Sequence, residues 1–165
     1  MGVTTSSPHL RCASPDDLDA GRDLLTDVFL VDPLMSTIIG AAPEPRAALE
    51  HLHHVELSAT YLNPDHPASL GDLAVDDAMC EAEPHWYLYM IAVAPDARGT
   101  GTGAALLRRG LERVDAQGMV AHLEATTRRA ASFYGRHGFV DSAILNSEGR
   151  LPDYWAMTRP KRRQH

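Results

Sequence analysis

The stretch "WYLYMIAVAPDARGTGTGAALLRRG", residues 86–110, constrains this chain more than any other. Its first eight residues are aromatic, aliphatic or β-branched and stop short of Pro95, as a buried strand does. From Thr102 to Gln117, Leu106, Leu107, Leu111 and Val114 fall on one helical face, and Gly118 closes the run. A second strand pattern, "MVAHLEAT", follows at once. Strand, loop, helix, strand is a parallel βαβ unit, because parallel neighbours need a crossover.

The loop inside that unit holds Gly99, Gly101 and Gly103 in alternation. A P-loop needs Lys-Ser/Thr after its last glycine, whereas Gly103 is followed by Ala-Ala. A dinucleotide fingerprint needs its last two glycines three apart, with an acidic strand end suitably placed about 20 residues on, and the alternation of Gly99, Gly101 and Gly103 does not fit it. A simple tight turn needs fewer glycines. Glycines here let successive N–H groups turn toward an anion, at a helix start that adds its own positive end.

The flanking elements follow from local signals. Residues 14–30 read as a helix capped by Ser14, with Pro15, Asp16 and Asp17 in its first turn. Asp32-Pro33 ends it and opens a short second helix in "VDPLMSTII". "EPRAALEHLHHVELSATYL" is a third helix, stopped by Asn63-Pro64. Weak strands or a loop are expected from Asn63 to Pro84. "RRAASFYGRHG" reads as a short helix, and "FVDSAIL" with "DYWAMTR" as a terminal hairpin around Asn146–Gly149. The 165 residues, 44% of them apolar, suit one domain over 1–165, with 1–9 and 160–165 as flexible tails.

Charge and cysteine content narrow the function. A net charge of −7 argues against a nucleic-acid partner. No apolar run approaches the roughly 20 residues of a membrane span, and the N-terminus lacks a signal-peptide layout. Cys12 and Cys80 are too few for a disulfide framework, so a cytoplasmic location is expected. In "HLHH", His51 and His54 share a helical face without a further ligand, which favours half-exposed histidines over a metal site.

Arg98-Gly99-Thr100-Gly101-Thr102-Gly103 resembles the Arg/Gln-x-x-Gly-x-Gly/Ala signature of the GNAT N-acyltransferases. "FYGRHGF", 133–139, resembles that family's Phe-Tyr-x-x-x-Gly-Phe block. "LEATTRRAASFYGRHGF" followed by "YWAMTR", with "DDLDAGRDLLTDVF" and "DPLM" upstream, looks most like the puromycin N-acetyltransferase group of actinobacterial antibiotic-modifying enzymes. Two departures accompany the likeness. Ala130 stands where that group has asparagine, and "NPDHPASLGDLAVDDAMCEAEPH" replaces its usual long hairpin.

The resemblance implies an α/β (α+β) GNAT fold, with a mixed sheet splayed between two central parallel strands. It implies acetyl-CoA or another acyl-CoA as donor, its diphosphate on the backbone of Arg98, Gly99, Thr100, Gly101, Thr102, Gly103 and Ala104. The pantetheine arm would lie along Ile91, Ala92 and Val93, where that strand parts from Leu123–Thr126. Tyr134 falls on the position of the acid that protonates the leaving thiolate, and Glu124 on that of a base for the amine. Phe29, Tyr87, Tyr89 and Trp155 are expected around the acceptor, a small-molecule amine. Asp32, Asp76, Asp77, Glu81 and Glu83 offer an acidic surround, which serves solubility equally well. A donor thioester on an acyl carrier protein's phosphopantetheine, and a non-catalytic acyl-CoA-binding module, stay open as alternatives. Relatives that dimerise through terminal strands make a homodimer a further expectation, and no metal is called for.

Overall fold

The computed structural model describes residues 10–62 and 85–162. The expectation for Asn63–Pro84 lies outside them, as do residues 1–9 and, of the expected tail at 160–165, residues 163–165.

Ser14 opens the first helical segment as its sequence predicts. The Asp17 carboxylate accepts from the Ser14 N–H at 2.8 Å and its hydroxyl at 3.1 Å. This short 3-10 turn leads into α1, Leu18–Phe29. Asp32 then caps α2, Pro33–Ile39, by accepting from the N–H groups of Leu34 and Met35 at 3.0 and 3.1 Å. Helix α3, Pro45–Glu56, runs on through a π turn, Leu57–Tyr61.

Four strands form one mixed sheet: β1 His85–Leu88, β2 Val120–Ala125, β3 Val140–Leu145 and β4 Tyr154–Arg159. Their order is β1-β2-β4-β3. The first pair is parallel and the other two are antiparallel. Helices α4, Thr102–Gln117, and α5, Arg128–Gly135, complete the chain. The expected strand "WYLYMIAV" is thus paired over less than its length, because its bonding to β2 ends at Leu88–Leu123.

Register assigns the sheet's two faces. Ala121, Leu123 and Ala125 of β2 pack with Leu107, Leu111 and Val114 of α4 and with Ala131 and Tyr134 of α5. Each of the buried leucines, and Val114, contributes about 1.5–3 kcal/mol. His122, Glu124 and Thr126 alternate onto the opposite face. On that side, Leu49, His53 and Thr26 are buried between α3 and α1. His53 Nδ1 lies 3.2 Å from Thr26 Oγ1.

That burial corrects the half-exposed reading of "HLHH". His51 is exposed, but His53 is sealed in the helix interface. Desolvation holds His53 below its ordinary pKa, so it is neutral near pH 7. Among the described residues no group of three His, Cys, Asp or Glu is placed to hold a metal ion. None of the described helices is long and apolar enough to cross a membrane.

One buried charge fixes the end of the sheet. Arg159, 4% exposed, meets Asp115 of α4 with two hydrogen bonds of 2.7 and 3.0 Å. Its Nε donates to the His137 carbonyl at 3.2 Å. β4, α4 and the turn after α5 therefore share one guanidinium.

Candidate active site

The glycine loop leaves a helix N-terminus open. After a 3-10 turn at Pro95–Ala97, Gly99 and Gly101 take φ of 80° and 90°. Gly101 is the residue before α4 and makes no side-chain cap bond. The Thr100 hydroxyl donates to the Ala97 carbonyl at 2.7 Å and lies 2.9 Å from Thr102 Oγ1. The threonines therefore brace the loop internally, and no side chain caps α4's first-turn N–H groups. The three glycines differ in purpose. A Cβ at Gly99 or Gly101 would meet nothing within 4 Å, so conformation rather than space requires glycine there. A Cβ at Gly103 would come 3.3 Å from Val93 Cγ2, so there it is close packing that favours glycine.

Beside this loop the sheet opens. β2 continues past Leu123 to Glu124 and Ala125, which pair with Ala156 and Trp155 of β4. The chain beyond Leu88 leaves it. Side-chain phase shifts at the same place: Trp86 and Leu88 pack on the α4 face, Tyr89 turns away, and Ile91 returns to the core. Ile91, Ala92 and Val93 thus run from the opening toward the glycine loop, and Arg98 Nε donates to the Val93 carbonyl at 3.3 Å.

Tyr134 lies on the α4 face of the opening, 8% exposed. Its ring stands edge-on to Phe133 and Phe139, with centroids 5.2 and 5.9 Å away. Burial pushes its phenol up to about 12, so it holds its proton throughout the neutral range. Glu124 is half-buried and belongs to the other face. The two carried-over groups therefore approach the opening from opposite sides of β2.

The four acceptor-side residues do not gather in one place. Tyr87 and Tyr89 share a face and lie 6.4 Å apart, between centroids. Phe29 packs in the same layer against His53 at 5.8 Å. Trp155 shares the α5 face with Ala125, under the Arg128 guanidinium at 4.4 Å from its ring centre. Of the acidic surround, Asp32 ties the α1–α2 corner to the end of β2 through a short hydrogen bond from the Thr126 hydroxyl. Asp76, Asp77, Glu81 and Glu83 lie outside the described residues.

Two groups that the sequence reading missed complete this side. The Tyr89 hydroxyl donates to Glu56 Oε1 at 2.7 Å, and Tyr61 stacks on Tyr89 with centroids 6.2 Å apart and planes at 26°. Tyr61, Tyr87, Tyr89 and Ile91, with Leu25 and Leu57, line part of a cavity of about 720 Å³. A signal for Glu56 existed: it follows Leu49 and His53 at helical spacing, on α3's buried stripe.

A parallel pair that opens beside a glycine-led helix places the chain in a class of mixed α+β folds. Residues 63–141 match the acetyltransferase (GNAT) domain model. The fold is similar to that of histone acetyltransferase HPA2 and related acetyltransferase from Corynebacterium glutamicum, at 29% identity and TM-score 0.77, over 96% of this chain and 99% of that one. It is also similar to a GCN5-related N-acetyltransferase, described too as a class-II aminotransferase, from Rhodopseudomonas palustris. There identity is 17% and TM-score 0.57, over 97% and 99% of the two chains. The chain has the GNAT fold, and the part of it at 63–141 is similar to the GNAT acetyltransferase domain.

Proposed function

We propose that this protein transfers an acetyl group from acetyl-CoA to a primary amine of a small molecule, by direct attack within a ternary complex. The observation that carries the reading is the uncapped start of α4 at the mouth of the β1–β2 opening. Its N–H groups and those of Arg98–Ala104 suit a diphosphate, and the backbone of Ile91–Val93 suits the amide-bearing arm. Bound there, acetyl-CoA supplies an acyl group already activated as a thioester. A backbone N–H near Val93 polarises the acyl carbonyl. Tyr134, kept protonated by burial, gives its proton to the departing sulfur. Glu124, on the acceptor face, takes the proton that the amine must lose before it attacks.

Direct attack is favoured over a cysteine-borne intermediate because neither Cys12 nor Cys80 lies in a recognisable nucleophile context in the sequence. The likeness to the puromycin-type enzymes supports a small natural-product or antibiotic amine as acceptor. The test is thiol release from acetyl-CoA across a panel of primary amines, including Nα-acetyl-lysine. Release with small amines bears the proposal out. Tight CoA binding with no release under any amine overturns it, and release only from an acyl carrier protein transfers the donor role to that carrier.

A further inference from the structure

We infer that Glu56, Tyr89 and Tyr61 form the subsite for the acceptor's ammonium group, which makes the acceptor a cationic primary amine on an apolar stem. The inference rests on the transfer reading for its place in the reaction, but its geometry stands independently. Glu56 lies on the buried stripe of α3, and only one of its carboxylate oxygens is satisfied, by the Tyr89 hydroxyl at 2.7 Å. Its other oxygen, and the Tyr61 hydroxyl, are buried without a hydrogen-bond partner among the described residues. Such groups are rare in folded proteins, because each forfeits its hydration without replacement.

The missing partner is a donor with positive charge. Burial pushes the Glu56 carboxyl up, and no described cation offsets that burial. The Tyr89 hydroxyl donates its hydrogen bond to Glu56 and so keeps its lone pairs for an N–H on the cavity side. The stacked rings of Tyr61 and Tyr89, with Tyr87 tilted beside them, present π faces that attract a cation. Leu25, Leu57 and Ile91 line the same cavity with apolar surface, while its cation, Arg113, and Gln117 come from the α4 side.

Position links this subsite to the chemistry. Tyr89 is the first residue past the last β1–β2 pair, and Ile91 follows two residues on. In extended chain that separation is roughly 7 Å, so the subsite receives the ammonium beside the opening, and the amine leaves Glu56 and loses its proton before it attacks the acyl group.

The test compares n-pentylammonium with 1-pentanol, which share a stem and differ in charge, by ligand-observed NMR on the full chain. Wild type is expected to bind the cation at least tenfold more tightly. Glu56→Gln should erase that preference while leaving pentanol binding and the acetyl-CoA KM unchanged. Tyr89→Phe keeps the ring and should also abolish most of the preference, which covers the case of a poorly folded Glu56→Gln. A wild type without preference, or a preference that survives both substitutions, overturns the subsite. Thiol release with an amine KM indifferent to Glu56→Gln would leave the transfer reading standing and remove the subsite. A Glu56-dependent cation preference without any thiol release would do the reverse.

Discussion

Adding one methyl group at two glycines of the same helix region should have opposite consequences. Gly101 and Gly110 both have open space where a Cβ would stand, with nothing within 4 Å. Steric collision is therefore absent from both substitutions, and backbone conformation alone decides. Gly101 holds φ of 90° and ψ of −2°, beyond the small left-handed region that L-residues tolerate. Alanine there carries strain of about 2 kcal/mol. Gly110 lies inside α4 with ordinary helical torsions, where alanine gains about 0.5–1 kcal/mol over glycine.

Urea unfolding should accordingly separate Gly101→Ala from Gly110→Ala by about 3 kcal/mol, with wild type between them. At about 2–4 °C per kcal/mol for a chain of this size, their melting points should differ by roughly 6–12 °C. A second readout ties the strain to the site. Relaxing residue 101 re-aims the N–H groups at the start of α4, and losing one charge-assisted hydrogen bond costs about 1.5–3 kcal/mol. The acetyl-CoA KM should therefore rise at least about tenfold for Gly101→Ala and stay put for Gly110→Ala. A Gly101→Ala protein as stable as wild type, with unaltered acetyl-CoA affinity, would refute the assignment of that glycine to torsion and donor binding.

Other substitutions probe the remaining parts. Tyr134→Phe should lower kcat about a hundredfold in a thiol-release assay while acetyl-CoA affinity holds; because burial lifts the phenol to about 12, wild type should show no alkaline fall from this group below about pH 10. Asp115→Asn breaks a pair whose Arg159 side chain is only 5% exposed, and should cost about 3 kcal/mol in urea unfolding. Arg159 holds the Asp115 carboxyl below its ordinary pKa, so this contribution is complete above about pH 4 and is lost as pH falls through the lower folded value. The variant should lack that part of the acid dependence; an unchanged acid limb would count against the pair. Asp32→Ala removes the α2 cap and the bond from Thr126, about 1 kcal/mol each. Its amine KM should rise at constant acetyl-CoA KM, and a rise in the latter instead would place Asp32 on the donor side.

What the sequence disclosed was local. The glycine loop, the cap at Asp32 and the span of α4 each depend on residues a few positions apart, and each could be read directly. The early end of β1 could not, because it is the neighbour's divergence, not a change of composition, that stops pairing at Leu88. Trp155 went to the face away from Tyr87 and Tyr89 for a related reason. Alternation sorts residues within one strand, but only the register of β4 on β2 relates one strand's faces to another's. Glu56 and Tyr89 lie 33 residues apart and meet through the packing of α3 on the sheet. The helical phase of Glu56 was legible, and its partner was not.

The two faces of β2 divide the work, and that division explains why the sheet must open. Tyr134 and the glycine-led helix belong to the α4–α5 layer, while Glu124, the Asp32–Thr126 tie and the Glu56 cluster belong to the α1–α3 layer. An unbroken sheet would keep a thioester on one side from an amine on the other, since paired backbone leaves no passage. Where β1 parts from β2 after Leu88, the barrier is gone while both walls stay anchored: β2 by its pairing with β4, and the departing strand by Ile91 in the core. Under the proposed transfer, Tyr134 as acid and Glu124 as base would reach one reacting pair from opposite sides of this opening. The opening is the one place along β2 where the proposed donor helix and the proposed acceptor carboxylates would meet, so the proposed reaction falls at that point in the fold.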